Sequence, residues 1–118
     1  MVHTGNAGQP FASPSHVLPL AREWPDLPVM LAHTGMGVAA REVGLVAQLC
    51  PNVYLETSWC GTLDTAMLAE MVGPDRLMLG SDGAQNLGVE IAKHHAFGLS
   101  PGELSHCLGG TMAKVFRL

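Results

Sequence analysis

The chain has 118 residues, and its 10 Asp and Glu outweigh 6 Lys and Arg for a formal net charge of -4. The six cationic side chains are scattered singly, which excludes the clustered basic surface that nucleic acid or an anionic membrane requires. Hydrophobic residues make up 47% and charged residues 14%, and mean hydropathy is +0.24. A packed core is therefore expected and a disordered tail is not. No apolar run approaches the roughly 18 to 20 residues of a membrane span. Met1 runs directly into Val2-His3-Thr4-Gly5 with no charged and then apolar leader, so the cytoplasm is the expected compartment. Cys50, Cys60 and Cys107 are odd in number and form no C-x-x-C pair, which predicts reduced structural thiols.

Short apolar runs begin at residues 1, 29, 53 and 77, spaced 28, 24 and 24 residues apart, and each reads as a strand. Helical patterns fill the intervals. Ser13 and Ser15 are candidate N-caps for a stripe of Val17, Leu18, Leu20, Ala21 and Trp24, and Pro19 places the helix start within about one turn of itself. A second helix is predicted over 38–49, with Pro51-Asn52 ending it. A third begins at a Thr62 cap and stops at Gly73-Pro74. A fourth covers 87–97. Ser100-Pro101-Gly102-Glu103 reads as a capping box with proline in the first turn. Gly109-Gly110-Thr111 separates that helix from a short terminal one.

Nearly continuous apolar strands alternating with helices indicate parallel strands buried on both faces, an α/β architecture. At this level a four-stranded doubly wound sheet and four strands of a (β/α)8 barrel are indistinguishable. In either, chemistry gathers at the carboxyl ends of the strands. His3 closes the first run, His33 the second and Asp82 the fourth, each followed by a small or Gly-containing turn. Imidazole and carboxylate donors suit a borderline cation such as zinc, and a His2Asp set leaves a position for water. Alone, each has an ordinary role as a turn or hydrogen-bonded core residue; equivalent placement in successive units is what makes them a candidate site.

These residues resemble the amidohydrolase-related metal-dependent hydrolases, in the branch that includes aminocarboxymuconate semialdehyde decarboxylase. Val2-His3-Thr4-Gly5 is similar to that family's fifth barrel strand, and Trp24-Pro25-Asp26-Leu27-Pro28 with Leu31-Ala32-His33-Thr34-Gly35 to the sixth. Pro51 to Ser58 is similar to the seventh, and Val72 to Asp82 to the eighth. The resemblance implies one partial domain over 1–118, a four-strand (β/α)4 half of a TIM (β/α)8 barrel corresponding to strands five to eight. It implies a divalent metal, zinc with manganese or iron as alternatives, held by His3, His33 and Asp82. Asp82 and His33 are the implied catalytic residues, with Asp82 taking a proton from water. The implied activity is hydrolysis of a small carbonyl substrate, with carbon-carbon decarboxylation or a non-catalytic half barrel as alternatives.

The chain departs from that pattern in lacking the H-x-H pair of a first strand, in a fifth strand with only two residues before His3, and in Gly83-Ala84-Gln85 and Thr111 at late turns. A half barrel leaves an inner sheet face and two strand edges without partners, so self-association or pairing with an N-terminal half barrel is expected. Glu56, in an apolar strand, calls for a partner such as Arg41 or Arg76. Trp59 and Phe11 are candidate pocket walls. His94-His95, His16 and His106 are expected on solvated faces, since adjacent helical positions point about 100° apart.

Overall fold

The computed structural model describes residues 1–5 and 10–118. Four strands form one sheet: β1 (Val2–His3), β2 (Val29–Ala32), β3 (Val53–Glu56) and β4 (Leu77–Met78). They lie in the order β1-β2-β3-β4, and every pairing is parallel. Sequential neighbours without a reversal are compatible with part of a (β/α)8 barrel. Among the described residues β1 and β4 each pair on one side only.

Among the described residues six α-helices alternate with or follow the strands: α1 (Leu18–Glu23), α2 (Ala40–Leu49), α3 (Thr62–Val72), α4 (Leu87–His95), α5 (Pro101–Ser105) and α6 (Thr111–Phe116). None of the described helices is long and apolar enough to cross a membrane. Strand alternation divides the side chains. Val29, Leu31, Val53 and Leu55 face α2 and α3 in a core that also takes Val43, Val46, Ala47 and Leu68. Their neighbours Met30, Ala32 and Glu56 turn to the opposite face and line a cavity there. Gly44 lets α2 and α3 approach, because a Cβ there would run into the Met71 side chain.

The inner face is less bare than the sequence suggests. Met30 and Met78 are buried, and Met112 and Phe116 of α6 share a cavity wall with Met30. Chain that follows β4 thus folds against the face that a half barrel was expected to leave open.

Several connections depart from expectation. Ser13 stands at the N-cap position of a short 3-10 turn, Pro14–Val17, that leads into α1, but its side chain makes no cap bond there; the Ser13 hydroxyl and the Ser15 amide donate to Glu42 of α2 instead, at 2.6 and 2.9 Å. Burial opposes ionisation of Glu42, but these hydrogen bonds outweigh it and lower its pKa. Gly61, not Thr62, occupies the cap position of α3, and Trp24 falls beyond the end of α1 and is exposed. Pro19 stands in the first turn of α1, where its missing N–H costs nothing. The capping box at Ser100 and Glu103 forms in full. A wide turn, His106–Gly110, carries the chain from α5 to α6. The three cysteines are free and buried; burial, with Glu103 nearby, pushes the Cys107 thiol up to about 11, so it is protonated at neutral pH.

Two polar side chains close the amino-terminal end of the sheet. Asn52 Nδ2 donates to the carbonyls of Ala21, Trp24 and Leu27, which holds the approach to β2 against the approach to β3. Arg76 does not pair with Glu56. Its guanidinium donates to the carbonyls of Ala47, Cys50 and Val53, with bonds from 2.6 to 3.0 Å, and so ties β4 to the end of α2 and the start of β3. Hydrogen bonds from a charged donor contribute about 1.5 to 3 kcal/mol. Arg76→Met, which keeps the stem and removes the donors, is expected to cost about 2 to 3 kcal/mol in urea unfolding, whereas the exposed Arg22→Met stays within about 0.5 kcal/mol.

Candidate active site

Because all strands run the same way, their carboxyl ends share one rim. β1 ends on His3. β2 ends at Ala32, one residue earlier than the sequence suggests, and His33 opens the turn that follows. β3 ends on Glu56, with Thr57, Ser58 and Trp59 directly after it, and Asp82 lies four residues beyond β4. His3, His33, Glu56, Ser58 and Asp82 line a common cavity of about 590 Å³, whose remaining wall includes Met1, Met30, Met112 and Phe116. The His3 and His33 rings meet edge to face, with centroids 4.7 Å apart. His33 is buried, whereas His3 and Asp82 are exposed.

The backbone around the rim is strained in a consistent way. His33 (φ 66°), Thr34 (φ 43°), Met36 (φ 47°), Trp59 (φ 62°) and Asp82 (φ 51°) all adopt positive φ without being glycine. Such conformations cost on the order of 1 to 3 kcal/mol each and persist only where surrounding contacts over-determine them. Here those contacts can be named. Thr4 Oγ1 donates to the Ala32 carbonyl at 2.8 Å and accepts from the Gly35 amide at 3.0 Å, which stitches the two His-Thr-Gly turns together. The turns press so closely that a Cβ on Gly5 would overlap the backbone of Gly35. Thr34, the equivalent threonine in the second turn, is fully buried and its hydroxyl has no partner among the described residues.

Glu56 is the receptor for the end of β2. Its Oε2 accepts the His33 amide at 3.0 Å and the Ser58 hydroxyl at 2.9 Å, and its Oε1 accepts the Ser58 amide at 3.0 Å. Its carboxylate oxygen stands 3.8 Å from His33 Nδ1, too far for a hydrogen bond, and Ser58 Oγ bridges the gap at 2.8 Å from that nitrogen. On the other side, a Cβ on Gly80 would overlap the Glu56 carboxylate, so the exit from β4 must carry no side chain there. Neither Arg41 nor Arg76 is involved. A strand-end carboxylate beside two free backbone amides has no need of a cation.

Asp82 is held differently. Its Oδ2 accepts the indole N–H of Trp59 at 2.9 Å. The Trp59 amide in turn donates to Glu90 Oε1 at 3.1 Å, and Glu90 also binds Asn86 Nδ2 and the Lys93 ammonium. Lys93 donates further to the carbonyls of Thr57 and Cys60. Trp59 thus reaches the site through a hydrogen bond to Asp82, while Phe11 is 90% exposed and is not among the described residues that line this cavity. His94 is not on a solvated face. It is fully buried, with Nδ1 donating to the Glu90 carbonyl at 2.9 Å and Nε2 accepting from Thr57 Oγ1 at 3.2 Å. His95, His16 and His106 are exposed as expected.

Among the described residues no three His, Cys, Asp or Glu side chains close on one point as a finished metal cluster. The donor types nevertheless fit a divalent cation. Two imidazoles lie edge to face, the buried one with Nδ1 engaged and Nε2 without a partner among the described residues, and a carboxylate shares their cavity. Metal-binding histidines characteristically have their second ring nitrogen committed in this way.

A parallel α/β sheet with imidazole and carboxylate groups on its carboxyl rim is a framework on which enzymes of many classes are built. The chain belongs to the amidohydrolase family, whose model matches residues 1–118. Comparison with curated proteins gives no match.

Of the groups that hold the rim, burial lowers the pKa of His94 chiefly by desolvation, against a smaller opposing effect of its bond to the Glu90 carbonyl. The unfolded chain then binds a proton that the folded chain resists. The stability this site contributes is present above about pH 6.5 and is lost as pH falls below it. Urea midpoints at pH 7.5 and 5.5 are expected to differ more in the wild type than in His94→Gln; an equal difference in both would refute the assignment.

Proposed function

We propose that this chain carries the metal site and proton-accepting group of a metal-dependent hydrolase, in the branch related to aminocarboxymuconate semialdehyde decarboxylase, acting on a small amide, ester or lactone. The observation that supports this most is the gathering of His3, His33 and Asp82 on one cavity at the carboxyl rim. His3, His33 and Asp82 would hold the cation, zinc by donor chemistry, with manganese or iron as alternatives. When bound, such a cation polarises a carbonyl and makes water more acidic.

The chain's own residues account for the remaining work. Trp59 donates to Asp82 Oδ2 and so fixes the carboxylate, whose remaining lone pairs can both meet the cation and accept a proton from the attacking water. Ser58 and Glu56 fix the ring of His33 against the floor of the cavity. Met30, Met112 and Phe116 give the cavity an apolar wall against which a substrate's apolar part can pack. That same wall favours a second reading, loss of a substrate carboxyl group, because an apolar environment destabilises the bound carboxylate, which leaves as neutral carbon dioxide while the electron pair of the broken carbon-carbon bond stays on the substrate carbon and takes up a proton. The open edges of β1 and β4 support pairing with a second copy or an N-terminal half barrel.

Protein purified in the presence of zinc, manganese or iron is expected to retain metal. His3→Ala and His33→Ala should each weaken retention by more than about tenfold, with the far-ultraviolet spectrum unchanged. Asp82→Asn should abolish turnover on an amide, ester and lactone panel, while carbon dioxide release from carboxylated analogues would favour the second reading. Wild-type protein that binds none of the three metals would overturn the proposal.

A further inference from the structure

A histidine side chain can offer either ring nitrogen, and the hydrogen bond made by one decides what the other presents. His33 Nδ1 lies 2.8 Å from Ser58 Oγ, and Ser58 Oγ lies 2.9 Å from Glu56 Oε2. A serine hydroxyl has one proton. The Glu56 carboxylate can only accept, so that proton points to Glu56, and the Ser58 oxygen is left to accept from His33. The neutral ring must then carry its hydrogen on Nδ1, which leaves a lone pair on Nε2. Isolated neutral imidazole side chains in water favour the opposite arrangement.

We infer that Ser58 and Glu56 are positioning residues that hold neutral His33 in its Nδ1–H tautomer and so present the Nε2 lone pair to the rim cavity. The arrangement is rigid at every step. Glu56 is 7% exposed and His33 8%, and Ser58 is fully buried. The carboxylate is fixed by the His33 and Ser58 amides independently of the hydroxyl. Gly80 leaves room for the carboxylate from the far side. One carboxylate therefore sets both the backbone position of His33, through its amide, and the proton position on its ring, through Ser58. The consequence for metal binding or proton transfer rests on the function proposed above; the tautomer itself does not.

The test is long-range ¹H–¹⁵N correlation on ¹⁵N-histidine-labelled protein at pH 8, where an ordinary imidazole is neutral, with His33 assigned by its loss in His33→Gln. In wild-type protein His33 is expected to show a protonated Nδ1 and an unprotonated Nε2. Ser58→Ala removes the acceptor and should move the ring toward Nε2–H, while the Glu56 bonds to both amides remain and keep the turn folded. Glu56→Ala removes the acceptor that fixes the Ser58 proton, which frees the hydroxyl to turn toward His33 and should have the same effect. An Nε2–H ring in the wild type would overturn the inference, as would an Nδ1–H ring that neither substitution changes. Zinc titration provides a second readout: Ser58→Ala should weaken binding about 10- to 100-fold. Failure of the wild type to bind zinc would count against the metal site alone, because the tautomer is read without metal.

Discussion

The rim depends on one buried carboxylate. Glu56 comes from the last position of β3, accepts the amide that begins the turn after β2, accepts the first free amide after its own strand, and is sheltered by the glycine after β4. Three consecutive strand ends are thereby referred to a single group. A buried carboxylate with an unmet hydrogen-bonding requirement would be costly. Here the requirement is met by backbone amides that a parallel sheet leaves unpaired at its carboxyl edge, so the two deficits cancel. Neither would be satisfied alone.

This explains how the chain tolerates positive φ at His33, Trp59 and Asp82, one after each of three strands. Each strained residue is anchored by a hydrogen bond: the His33 amide donates to buried Glu56, the Trp59 amide donates to buried Glu90, and the Asp82 carboxylate accepts from the indole N–H of Trp59. The anchors are supported in turn. Lys93 and His94 of α4 hold Thr57 and Cys60 on either side of the Ser58-Trp59 pair. α4 acts as a brace for the loop after β3, which is why it buries a lysine, a glutamate and a histidine within one turn.

The four strands, their parallel direction and the proline and glycine stops were legible because each rests on local pattern: apolar runs, Pro51, Gly73-Pro74 and the Ser100 capping box. The positions of His3, His33 and Asp82 on one rim follow from that same alternation. What could not be read was how polar groups are satisfied across strands. Glu56 looked like half of an ion pair because a carboxylate in an apolar strand suggests a cation, yet its partners are amides 2 and 23 residues away. Arg76 looked like that cation, but it serves carbonyls at the other end of the sheet. His94 was expected on a solvated face because it and His95 point about 100° apart and cannot both face one site; only the packing of α4 on the loop after β3 buries it. Ser58 carried no signal beyond standing two residues from Glu56, on the same side of an extended chain.

The dependence of the rim on Glu56 is tested most directly by native-state hydrogen exchange of the His33 and Ser58 amides. Both should exchange slowly in the wild type. In Glu56→Ala both should lose protection by a larger factor than Leu31 and Leu55, whose amides belong to the sheet interior. If His33 and Ser58 keep their protection while the rest of the sheet behaves as before, Glu56 is not what holds the strand ends together.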